Sequence, residues 1–159
     1  MEERYKSAIV VDLMLNRENS GKKEVLLVLR KNTGFCDGEY ELPGGHVEAN
    51  KDLLDATIRE SKEELNIELK REDLKIEHIL HHYKGNRIKF IISAKKFEGS
   101  LQIGEPDKCE KIEWFDIENL PDNTEKKASK VLNEIRNGIF YDNSNFINLD
   151  KLLGEKQKI

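Results

Sequence analysis

A chain of 159 residues is long enough to bury roughly two thirds of its unfolded surface in one domain, without disulfide or metal staples. Charged residues make up 36% and apolar residues 37%, both signs are spread along the chain, and the net charge is −4. That balance describes a globule better than a disordered tail, and it argues against a nucleic-acid surface, because polymer binding draws on a basic patch. No run approaches the roughly 20 apolar residues that cross a bilayer. The opening MEERYKSAIVVDL carries charge where a secretion signal would be hydrophobic. The expectation is a cytoplasmic protein of one domain, residues 1–159, with its core over about 5–138 and a tail over 141–159.

Ala8 to Leu15 and Val25 to Arg30 read as strands, the second a near-continuous apolar run of the buried kind. The linking RENSGKK reads as a hairpin turn. The loop KNTGFCDGEY leads to a short strand, Tyr40 to Leu42, before Pro43, Gly44 and Gly45 end regular structure. From Asp52 to Leu65 the pattern is helical, with Leu54, Ile58, Ser61 and Leu65 in one stripe and Ala56 and Thr57 small beside it. Asp52 is placed as N-cap with Asp55 three residues on, and Asn66 tolerates the left-handed conformation that closes a helix. Strands follow over Lys75 to His82, Arg87 to Lys96 and Lys111 to Phe115, continuing a mixed sheet. A second helix, Thr124 to Arg136, buries Ala128, Val131, Leu132 and Ile135 and stops at Gly138. Only Cys36 and Cys109 are present, far apart, so neither a zinc site nor a disulfide framework is indicated.

The stretch RESKEELN, Arg59 to Asn66, raises the chemical question. Its glutamates, Glu60, Glu63 and Glu64, lie largely off the apolar stripe and share one helical face, where they repel one another. On the residues alone two readings stay open. One is a solvated acidic face paired with Arg59 and Lys62. The other is a set of hard oxygen ligands which, with the unhindered carbonyls of the preceding glycine loop, suits Mg²⁺ or Mn²⁺.

GlyGlyHisValGluAlaAsnLys (44–51) followed by ArgGluSerLysGluGluLeuAsnIle (59–67) resembles the signature of the Nudix hydrolases. That pattern runs Gly, five residues, Glu, seven residues, Arg-Glu-apolar-x-Glu-Glu-x-Gly-apolar. Gly45, Arg59, Glu60, Glu63, Glu64 and Ile67 fall on it. Three positions depart: Lys51 replaces a glutamate, Ser61 an apolar residue and Asn66 a glycine. Lys51 removes a carboxylate beside the site; Glu48, earlier in the loop, either compensates or pairs with Lys51. The likeness covers roughly Ala8 to Leu132, and EPDKCE, EWFD and LP within 105–121 resemble a MutT-like branch that includes nucleoside triphosphate pyrophosphatases.

The resemblance implies an α+β Nudix fold, a mixed sheet sandwiched between helices. It implies Mg²⁺-dependent hydrolysis of a nucleoside diphosphate linked to another group, first among them a (d)NTP or an oxidised (d)NTP. Glu60, Glu63, Glu64 and the Gly44 carbonyl would hold the metal, Arg59 would orient Glu63, and Arg30 would contact phosphate. The general base would be a glutamate of the signature or Glu105 in GEPDKCE. The partner is a small nucleotide and not a nucleic-acid polymer or a membrane; the oligomeric state is open, a homodimer included. The chain has no proline between Ile67 and Glu105, which disfavours the ADP-ribose hydrolases; Tyr83 lies near a tyrosine of some dinucleoside polyphosphate hydrolases. Trp114 either stacks on a base or belongs to the core. His46, His78, His81 and His82 have no ligand partner at a telling spacing. Lys51 supports an alternative, a nucleotide-binding or regulatory module that keeps the fold with damaged chemistry.

Overall fold

The computed structural model describes residues 2–143, so the expected tail beyond 143 lies outside the described residues. The apolar runs near the start form β1 (Ala8–Met14) and, after β2 (Asn16–Asn19), β3 (Lys22–Arg30). β2 corrects the expected turn. Most of that segment is strand, with Asn16 to Asn19 paired antiparallel to Val25 to Lys22, and the turn contracts to Ser20 and Gly21, both at positive φ. A two-residue turn of that hand matches the twist of its flanking strands, so geometry holds polar residues in a ladder that their propensity would not.

A second correction falls on the glycines. After β4 (Tyr40–Glu41) the chain does not end regular structure but forms β5 (Gly44–His46), antiparallel to β1, with Gly44 opposite Asp12 and Gly45 opposite Val11. A Cβ at Gly44 would run into the Val11 carbonyl and the Asp12 side chain. Turn-like composition here marks close approach of two backbones.

α1 (Leu53–Leu65) begins at Asp52 and closes at Asn66, whose φ of 57° and ψ of 31° are left-handed. Asp52 accepts from the Asp55 N–H at 2.8 Å, Asp55 accepts from the Asp52 N–H at 3.3 Å, and Arg71 donates to both carboxylates. The Arg71 bonds and the Asp55 N–H hold the Asp52 carboxyl below the usual carboxylate range. A depressed acid stabilises the fold above its unfolded value and ceases to do so as pH falls through its folded one. Asp52→Ala is therefore expected to lower the denaturant midpoint at pH 7 with unchanged slope, and the deficit should fade below about pH 4.

The helix buries a face rotated from the expected stripe. Ala56, Thr57, Ser61 and Leu65 are buried while Leu54 and Ile58 are only half-buried. Glu60 and Glu64 consequently flank the inward face, half-buried, and only Glu63 is exposed. The Thr57 and Ser61 hydroxyls donate to the Leu53 and Ile58 carbonyls, both at 2.8 Å, which lets polar side chains sit inside.

β6 (Leu74–His82) pairs antiparallel with β7 (Arg87–Ala94), which runs parallel to β1. β9 (Tyr141–Asp142), absent from the sequence reading, adds parallel to β6 and completes the order β5-β1-β7-β6-β9. In a second sheet β3 pairs antiparallel with β2, β4 and β8 (Cys109–Asp116). Val11, Ala56 and Ile92 pack between α1 and the mixed sheet. Leu27, Leu80 and Ile91 pack with Val131 and Leu132 of α2 (Lys126–Arg136), with Ile135 partly buried against them. The sheets thus lie between two helices, as an α+β sandwich. Among the described residues no helix is long and apolar enough to cross a membrane.

Candidate active site

The approach of α1 to β5 builds the site. Leu13 N–H donates to the Pro43 carbonyl at 2.7 Å and Val47 N–H to the Ile9 carbonyl at 2.9 Å. In the antiparallel alternation Gly44 therefore occupies a position whose own N–H and C=O turn away from β1. Its N–H donates to Glu64 Oε2 at 3.0 Å. A Cβ at Gly45 would overlap the Glu60 carboxyl. The two glycines let two helix carboxylates come against bare backbone.

Glu105 reaches the same place through the far end of the helix. Gln102 N–H donates to the Leu65 carbonyl at 3.0 Å and Gly104 N–H to the Glu64 carbonyl at 2.9 Å, so the loop before β8 caps α1. A Cβ at Gly104 would strike the Glu63 carbonyl. Docked this way, Glu105 acts electrostatically on both Glu60 and Glu64. Sequence reasoning found Glu105 but missed Gly104, whose signal was a lone glycine just before the acid.

Burial pushes the Glu64 carboxyl up to about 8, with the Glu60 charge adding to it and the Gly44 N–H opposing it. Burial also raises Glu60, against the pull of Arg59. The Arg59 guanidinium lies 2.8 Å from Glu60 Oε1, donates at 3.1 Å to Glu63 and at 3.0 Å to the His46 carbonyl, and lies 3.8 Å from Glu48. Among the described residues no three carboxylate, imidazole or thiol groups converge on one point; Arg59 draws Glu60 and Glu63 to itself while Glu64 turns to β5. The donor chemistry still fits a hard dication. It is all oxygen, Glu60 and Glu64 are destabilised by burial and by neighbouring carboxylates, and a backbone carbonyl faces away from its ladder.

These groups line a cleft of about 670 Å³. Glu48 lines it; Lys51 is exposed and does not. Arg30 lines it with its guanidinium already engaged, donating to Glu41 and, from Nε at 2.8 Å, to the Phe35 carbonyl. Asp12, Arg87 and Lys89 also line it, and sequence reasoning missed them. Arg87 and Lys89 alternate with apolar residues along β7, so a shared face was legible, but nothing local told which sheet face would open on a cleft. Trp114 packs in the core beside Leu26 and Val28, with Arg17 4.5 Å above its ring. His78 is buried, its Nδ1 2.9 Å from the Ile139 carbonyl, and Tyr83 is exposed outside the cleft.

Two sheets between two helices, with a glutamate-bearing helix laid across a glycine strand, define an α+β protein that presents a carboxylate cluster to a polar cleft. A family model described as NUDIX domain matches residues 6–135, and the chain belongs to that family. It is 31% identical over 121 residues to an ADP-ribose pyrophosphatase of Methanocaldococcus jannaschii, covering 72% of this chain and 64% of that protein, so it spans less than two thirds of that relative's length. A crystal structure of a MutT Nudix hydrolase from Burkholderia pseudomallei matches with a TM-score of 0.69 at 26% identity, over 80% of this chain and 97% of that one. A C. elegans Ap4A hydrolase shares the fold at 21% identity and a TM-score of 0.59, over 80% and 96% of the two chains. Nudix hydrolases as a family act on small nucleotides and generally use a divalent metal.

Proposed function

We propose that the protein is a Mg²⁺- or Mn²⁺-dependent pyrophosphohydrolase of nucleoside diphosphate derivatives, acting first on a (d)NTP or an oxidised (d)NTP to release the monophosphate and pyrophosphate. The observation that carries this reading is that Glu60, Glu63, Glu64 and Glu105 line one cleft with the Gly44 backbone, while Arg30, Arg87 and Lys89 line it too. Glu60, Glu63, Glu64 and the Gly44 carbonyl are the groups that would hold the metal. When bound, the dication offsets polyphosphate charge and acidifies a water for attack at phosphorus. Arg59 positions Glu63 through their 3.1 Å contact. Glu105, brought to the same wall by the loop before β8, is the candidate general base, with the helix glutamates as its rivals.

The test is a panel of (d)NTPs, oxidised (d)NTPs, ADP-ribose and dinucleoside polyphosphates with Mg²⁺. Triphosphates should yield monophosphate and pyrophosphate, with ¹⁸O from labelled water in only one of the two. The name of the Methanocaldococcus relative makes ADP-ribose the chief competitor; preference for it would overturn the triphosphate assignment and leave the carboxylate helix in place. No turnover of any member would leave the binding-module alternative. A ligand that binds only the folded state raises its stability by mass action, so millimolar Mg²⁺ is expected to raise Tm and Glu60→Gln to shrink that rise. An unchanged melt would count against a metal site.

A further inference from the structure

The end of α1 holds the Glu105 loop on the side that precedes the acid, through the Gln102 and Gly104 N–H groups. The backbone after Glu105 needs a hold of its own. The Glu105 carbonyl accepts from the Lys108 and Cys109 N–H groups, both at 3.0 Å. Residues 105–109 therefore close into a turn that moves as a unit, and whatever grips its far side sets where Glu105 stands.

That grip comes from the segment after β3. The Lys31 N–H donates to the Lys108 carbonyl at 2.9 Å, and Asn32 Nδ2 donates to the Asp107 carbonyl at 3.2 Å. Asn32 has a φ of 53°, a left-handed conformation that asparagine tolerates better than most side chains. Its loop is braced from within. Asp37 accepts from the Thr33 N–H at 3.1 Å, the Gly34 N–H at 2.9 Å and the Thr33 hydroxyl at 2.6 Å, while Arg30 Nε donates to the Phe35 carbonyl at 2.8 Å. A side chain carried on a braced loop passes its position on to what it holds. Lys108 is the rival, with Nζ 3.6 Å from Glu105 Oε2, but the two side chains are 61% and 33% exposed. An ion pair that open to solvent fixes little.

Asn32 and Glu105 line the same cleft. We propose that Asn32 is a positioning residue for Glu105, its amide clamping the turn 105–109 so that the Glu105 carboxylate stays beside Glu60 and Glu64. The role rests on the reading of Glu105 as general base, because misplacing such a group by about 1 Å slows the chemistry while substrate still binds.

The experiment joins amide hydrogen exchange of the whole chain to steady-state kinetics on the best substrate of the nucleotide panel with Mg²⁺. Asn32→Gly keeps the left-handed backbone and deletes the amide, whereas Asn32→Asp keeps the shape and sets a carboxylate against the Asp107 carbonyl. In both, exchange over residues 105–109 is expected to quicken about fivefold, the change that one lost hydrogen bond supplies, with α1 and Tm unaffected. Unchanged exchange there would overturn the clamp whatever the kinetics. In both, kcat should fall about five- to tenfold with KM within about twofold of wild type. Added to Glu105→Gln, Asn32→Gly should cost nothing further, since no carboxylate is left to position. Losses that multiply in the double variant, or that fall on KM, would make Asn32 a substrate contact or a general prop and overturn the proposal. Faster exchange with wild-type kcat would overturn it too, and a Glu105→Gln that is still slow would keep the base reading. A nearly wild-type Glu105→Gln would remove the base reading and the positioning role together.

Discussion

Glu64→Gln is expected to lower kcat by about 10²-fold or more while the protein still folds, because glutamine keeps the shape and can accept the Gly44 N–H but cannot carry the charge that holds a dication. Metal-free stability separates this from simple damage. Burial and Glu60 push the Glu64 carboxyl from an ordinary 4.5 up to about 8, so near pH 7 the acid is largely protonated and the amide nearly matches it. Tm without metal should change little. An acid raised on folding lets the folded state keep a proton that the unfolded chain has released, so metal-free stability should fall as pH rises from near 4.5 toward 8. That decline should shrink in Glu64→Gln. Glu63→Gln should share the kinetic loss through an exposed side chain with little structural burden, and near wild-type rates in both variants would sink the metal-helix reading.

Glu105→Gln is expected to lower kcat by about 10²-fold with KM little changed, the lower end of what a positioned general base contributes. Gly104→Ala should reproduce part of that loss without touching the carboxylate, since the added Cβ would strike the Glu63 carbonyl and push the loop off the helix end. If Glu105→Gln keeps more than about a third of the wild-type kcat, the base is one of the helix glutamates.

Where local chemistry determines structure, reading and structure agree. β3 follows from VLLVLR, and α1 from apolar spacing bounded by Asp52 and Asn66, whose capping box and left-handed close both form. α2 was legible for the same reason, with Ala128, Val131 and Leu132 buried at helical intervals. The elements that went unread depend on partners distant in sequence. β5 exists because Gly44 and Gly45 lie opposite β1, and two-residue β9 exists because β6 offers an edge more than fifty residues earlier.

The site divides along the same line. By itself the sequence determined which glutamates stand together, since glutamates three and four apart on a helix must share a face whatever surrounds them. It also determined membership of a family with that signature, which the match over residues 6–135 bears out. Only the tertiary structure decided which glutamates are buried, that Gly104 brings Glu105 to the helix, that Arg30 is held by Glu41, and that Asn32 reaches the turn behind Glu105. Those outcomes turn on desolvation and on contacts between strands and loops far apart in the chain. Helical periodicity and turn composition are short-range signals, and they carry no record of which backbone will lie against which side chain.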